Sequence, residues 1–151
     1  MRKVEVEKGY FETQLKNGTI KTKEWRDDKQ KLHRDNGPAR ITYEYSKEIK
    51  DYGLTAKYWY NHGTLIHYES YDEWEILIRD RWYNADKQYH RLDGPAVIEY
   101  DEDGEIWDEE YYYNGKKCES EFELLVLHGL SQNSIWGVVI WKRKRLLIMS
   151  H

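Results

Sequence analysis

The chain has 151 residues, enough for one domain, and at this size folding buries roughly 68 to 70% of the surface an extended chain exposes. A mean hydropathy of -1.01 with 34% charged residues would suit a disordered chain, but 14 Tyr and 7 Trp supply amphipathic bodies that can build a core with their polar atoms at its rim. The net charge of -4 gives no general attraction to nucleic acid, and Cys118 as the single cysteine excludes an internal disulfide.

In chain order, the N-terminal "MRKVEVEKGYFETQ" alternates charged and small apolar residues and lacks the apolar stretch of a secretory signal, so a cytoplasmic location is expected. Asn17-Gly18-Thr19 fits a glycosylation pattern but reads as a turn leading into a strand centred on Trp25. Another turn then leads to "HRDNGPARITY", which starts at His33; Ala39, Ile41 and Tyr43 share one parity there, the mark of a half-buried strand. A turn is expected at Tyr52-Gly53, then a strand centred on Trp59, with His67 eight residues further on. Trp82 precedes His90 by the same spacing, and "HRLDGPAVIEY" nearly repeats the earlier segment, with Ala96, Ile98 and Tyr100 in matching parity. After a turn at Asp103-Gly104, "YYYNGKKCES" puts Tyr112 in the tryptophan place. Four copies emerge, the first and third complete, the second without Gly-Pro-Ala, the last truncated.

The C-terminal part departs from this pattern. "CESEFELLVLHG" predicts a helix over about 119–129, with Phe122, Leu125 and Val126 on one face, Ser120 near its start and Gly129 as its stop, capping the open end of the sheet. "SQNS" reads as a linker. The apolar and basic tail, 131–151, is expected to pack on the domain or on a partner; its apolar run at 135–141 is too short to span a membrane as a helix. The acidic stretch at 99–110 and the basic block at 142–145 have the charges to face each other. The fold class that follows is mostly β: an antiparallel meander of stacked β-hairpin repeats with a short C-terminal capping helix, forming a single domain over 1–130.

Alternation assigns Trp25, Trp59, Trp82 and Tyr112 to the core face and Tyr58, Tyr60, Tyr83, Tyr111 and Tyr113 to the opposite one. The tyrosines there form either a partner-binding surface or cross-strand pairs that stiffen an open sheet. Gly37-Pro38 and Gly94-Pro95 are turn grammar where strands begin. His33 and Arg34, like His90 and Arg91, point to opposite sides of an extended segment. The histidines are expected to tie backbone groups of adjacent hairpins, and the arginines to clamp acidic neighbours or turn carbonyls. The functional alternative is an anion or phosphate site lined by His33, Arg34, His67, His90 and Arg91.

This Trp, Asn-Gly, His-Arg and Gly-Pro-Ala pattern, over about 18–117, resembles the divergent MORN-type (membrane occupation and recognition nexus) repeats of bacterial and phage proteins, among which are antitoxins. The resemblance implies β-hairpin repeats used as interaction surfaces, without a catalytic centre. The glycine usual after the histidine is here Arg34 or Arg91, which removes the basis for inferring lipid binding.

Motifs for acyl transfer, phosphate cradling or metal binding are absent from the sequence, and no cofactor is called for. Cys118 is a lone thiol beside Glu119, an environment that disfavours the thiolate. The expectation is therefore a non-enzyme; a catalytic role would fall to His33, His67 and His90 as acid-base groups. The expected function is binding of a protein partner, as an antitoxin or a phage-encoded inhibitor of a host defence system. An anionic, nucleotide-type ligand held by the Arg and His copies is the alternative, and nucleic-acid binding through 142–145 the third reading.

Overall fold

The structure, a computed structural model, describes residues 1–131; the tail expected beyond them lies outside the described residues. Ten strands run in chain order: β1 (Arg2–Glu7), β2 (Tyr10–Gln14), β3 (Ile20–Trp25), β4 (Arg40–Ser46), β5 (Asp51–Asn61), β6 (Thr64–Tyr71), β7 (Leu77–Trp82), β8 (Val97–Tyr100), β9 (Ile106–Tyr113) and β10 (Lys116–Cys118). Each pairs antiparallel with the next in one ten-stranded sheet, and the helix α1 (Glu121–Ser131) follows. The meander expected from the period-two pattern is the fold, because every strand pairs antiparallel with the next in sequence; even the two 14-residue connections, 26–39 and 83–96, return the chain to the adjacent strand.

Five hairpin loops share one geometry. In the segments 15–19, 27–31, 72–76, 84–88 and 101–105 the first N–H donates to the fifth carbonyl at 2.9 to 3.0 Å and the fourth N–H returns to the first carbonyl. The fourth residue has positive φ: Gly18, Gln30, Glu75, Lys87 and Gly104. Such a turn, closed by a bulge, fits the right-handed twist of the strands. In four of them an Asp or Asn heads the loop, and its Oδ1 accepts the third and fifth N–H groups: Asp27, Asp72, Asn84 and Asp101. The turn expected at Tyr52-Gly53 is displaced. Gly53 lies inside β5 opposite Glu44, and the chain reverses at 47–50, where Lys50 has φ 56°.

The four expected copies resolve into two four-strand units, β3 to β6 and β7 to β10, with β1 and β2 as a leading half. His62-Gly63 and Asn114-Gly115 are equivalent two-residue turns, both with two positive φ values. Matching them makes Tyr111, not Tyr112, the counterpart of Trp59; the shared Asn-Gly letters mask an offset of one residue. One unit therefore spans two of the segments that looked like separate copies.

A single-layer sheet has little interior. Among the described residues, the buried apolar ones are Ala39, Ala56, Ala96, Val97, Ile98, Cys118 and Leu124. The tryptophans of the expected core row are half-buried instead, and gain their packing laterally from rings in neighbouring strands. At the end of the sheet α1 packs on β9 and β10 as the expected cap. Ser120 Oγ accepts the Glu123 N–H at 3.3 Å, the contact of a helix N-cap. The helix seats Leu124, fully buried, with His128 one turn on against Tyr113; Phe122, expected on that face, is 39% exposed. Gly129 is buried within the last turns rather than ending them.

Candidate functional site

The Arg34 guanidinium lies 4.0 Å over the ring of Trp25 and that of Arg91 lies 4.3 Å over Trp82, a cation–π contact that also screens the indole from water. The glycines make room for it. A Cβ at Gly37 would meet Arg34 Nη1 at 3.4 Å, and one at Gly94 would meet Arg91 Cζ at 3.4 Å. Arg91 also donates to Asp93 at 2.8 Å and to the Pro95 carbonyl at 3.4 Å, as expected of a clamp on an acidic neighbour and a turn carbonyl.

The histidines pin the next hairpin. His33 Nδ1 accepts the N–H of His62 at 3.3 Å, and His90 Nδ1 accepts that of Asn114 at 3.1 Å, so each loop is tied to the following two-residue turn. The Gly63 and Gly115 N–H groups are taken by the carbonyls of Leu32 and Tyr89 at 2.8 and 2.9 Å. His33 stacks on His62 at 3.8 Å, and His62 pairs with Asp27 at 2.8 Å, which holds that carboxyl below its usual range. Burial, and after it the charge of His128, pushes the His90 imidazole below its usual range, matching a ring used as an acceptor.

His67 is not a member of this set. It sits within β6, stacked between Trp59 at 4.2 Å and Trp82 at 3.9 Å, with its Nε2 2.6 Å from Asp80 Oδ1 and both residues buried. Trp59, His67, Trp82 and Arg91 thus form one continuous pile, and Tyr10, Trp25 and Arg34 a shorter one. The eight residues from Trp59 to His67 are the length of a hairpin that brings strand partners opposite each other.

The five residues expected to line an anion site do not converge. Arg34 and Arg91 belong to loops separated by four strand spacings, roughly 19 Å across the sheet, and each is held by its own tryptophan. Among the described residues, no group of three or more His, Cys, Asp or Glu side chains is placed to hold a metal ion. The Cys118 thiol is buried, and burial, followed by the Glu123 carboxylate, raises its pKa, which favours the neutral thiol.

The other face carries a tyrosine band. Tyr58 on β5 meets Tyr68 on β6 at 5.0 Å and Tyr60 at 6.5 Å; Tyr83 and Tyr112 flank Tyr89 at 5.3 and 5.2 Å. Tyr68 lies close enough to Tyr83 to act on its ionisation and so links the two groups. Burial pushes the Tyr83 phenol up to about 12, with Tyr89 adding to it. Arg40 and Arg81 lie over Tyr58 and Tyr89 at 5.9 and 6.0 Å. Three of the five expected residues, Tyr58, Tyr60 and Tyr83, are in this band. Tyr111 and Tyr113 are on the opposite face, with Cys118 and the helix, and Tyr112 replaces them, because Asn114 is the first residue of its turn whereas Asn61 is the last of its strand, which shifts the parity of β9. Tyr68 and Tyr89 were missed. Tyr68 is the register partner of Tyr58, and Tyr89 lies in the bridge opposite Tyr83.

No family model matches the sequence, and no curated protein matches it either. Among solved structures the chain resembles that of a point mutant of S. aureus TarM in complex with fondaparinux, α-GlcNAc-glycerol and UDP. The TM-score is 0.47 and the identity 11%, over 85% of this chain and 23% of that one. The chain therefore spans about a quarter of the length of that structure. No helix among the described residues is long and apolar enough to cross a membrane.

Proposed function

We propose that this chain is a non-catalytic β-repeat protein that binds a protein partner through the tyrosine band, in the manner of an antitoxin or a phage-encoded inhibitor of a host system. The observation that carries the reading is the band itself: six half-buried tyrosines run from β5 to β9, while α1 packs on the opposite face at the β9–β10 end of the sheet. Tyrosine gives large contact area with few rotatable bonds and a hydroxyl that bonds at a wet rim, and it is enriched where interface energy concentrates. The Arg and His copies are occupied in bracing the loops, which speaks against the anionic-ligand alternative.

Site-specific photo-crosslinking in the cell of origin tests this. A benzophenone side chain at Tyr60 or Tyr83 is expected to capture the same protein, while one at Lys21 on the far side of β3 captures nothing. Identical capture from all three positions, or none from the band, overturns the reading.

A further inference from the structure

At the other end of the strands an open groove of about 960 Å³ lies between the β6–β7 and β8–β9 loops. Its apolar walls come from Ile76, Ile78, Tyr100 and two tryptophans, Trp74 and Trp107, whose side chains are 65% and 68% exposed. Elsewhere in the sheet, Trp25, Trp59 and Trp82 have a ring or a guanidinium laid on them. Five carboxylates rim the groove, and among the described residues no lysine, arginine or histidine lines it. Asp72 and Asp101 each give one oxygen to their own loop; Glu73, Glu102 and Asp103 have no side-chain partner among the described residues.

Charge and shape together select the occupant. An anion is repelled, and an apolar helix or strand laid across the rim would strip water from carboxylates without replacing it. A divalent ion has no converging set of ligands there. A side chain with an apolar stem and a cationic head satisfies both parts, its stem and charged plane on the indoles and its N–H groups on the carboxylates. We propose that this groove docks a lysine- or arginine-rich segment of another polypeptide, with arginine preferred because its guanidinium both stacks and forks. The site shares no residue with the tyrosine band and stands or falls independently of the function proposed above.

The test is calorimetric titration of the full chain with the peptide Gly-Arg-Arg-Arg-Arg-Gly, at low and at physiological salt. Saturable binding is expected, at least tenfold weaker in Trp107→Ala and in the Glu102→Gln, Asp103→Asn double variant, and unchanged in Tyr60→Ser. Glu102, Asp103 and Trp107 are exposed, so thermal unfolding of the two groove variants should match that of the parent. No binding overturns the proposal, as does binding undiminished by Trp107→Ala, which would mark a diffuse attraction between charges. A third arm replaces Lys142, Arg143, Lys144 and Arg145 by Gln. Peptide binding that appears only in that variant means that the chain fills its own groove, and overturns the external occupant.

Discussion

Arg34 and Arg91 are held by a plane as much as by a charge, and that sets what replaces them. Lysine keeps the charge but loses the flat contact with Trp82, so Arg91→Lys is expected to cost about 1 kcal/mol, within the usual cation–π range. Urea unfolding midpoints measure it, and a variant equal to the parent would show the stack to be idle. Gly37 and Gly94 look interchangeable in sequence and are not. Both face a guanidinium, but Gly37 alone has positive φ, at 113°, so Gly37→Ala is expected to cost at least 1 kcal/mol more than Gly94→Ala. His90 supplies the acid response. Its folded pKa lies below that of the unfolded chain, about 6.5, so the unfolded state takes the proton first. The contribution is complete above that value and is lost as pH falls through it toward the folded pKa. His90→Asn, which keeps an acceptor for the Asn114 N–H, should flatten the fall in melting temperature between pH 7 and 5.5. An equally steep fall in the variant assigns the response elsewhere. The repetition of His-Arg was legible in the sequence, and so was its bracing role; the partner of each arginine was not, because a non-periodic loop carries it back over a tryptophan.

The loops explain what was legible among the elements and what was not. Strands announced themselves by parity, as in Ala39, Ile41 and Tyr43. The five-residue loops were only half visible, because Gly18 and Gly104 mark the left-handed position while Gln30, Glu75 and Lys87 conceal it. That concealment has a cost. A residue with a Cβ pays roughly 1 kcal/mol in this conformation, against glycine's smaller entropic loss, so Lys87→Gly is expected to raise the melting temperature by a few degrees. Lys29→Gly, one place earlier in its own loop, should lower it, and the two scans compared decide the matter. Tyr112 shows the opposite failure. Matching letters in "YNHG" and "YNGK" suggested an alignment that backbone geometry overrules, and one residue of slip exchanges the two faces of a strand.

Across the whole molecule, stability is spread along one dimension. Each strand is braced by its neighbours and by lateral piles of rings, so opening should proceed from the ends. Of the buried polar and small residues, Ala56, His67, Ser70, Asp80 and Ala96 lie between β5 and the start of β8, and only Glu24 and Ala39 lie before β5 among the described residues. Hydrogen exchange followed by mass spectrometry is expected to show the slowest amides there and the fastest in β1, whose residues other than Val4 are exposed; uniform exchange would indicate a single cooperative block. The identity of the two units has a further result. The Gly9 carbonyl receives the Arg26 N–H just as the Ile66 carbonyl receives that of Tyr83, so the junction entering each unit is the same socket. A gene carrying one more copy would lengthen the ribbon by four strands, roughly 19 Å, without redesigning any joint. Length can thus be set by duplication alone, and paralogues that differ in count would present tyrosine bands of different span with unchanged chemistry.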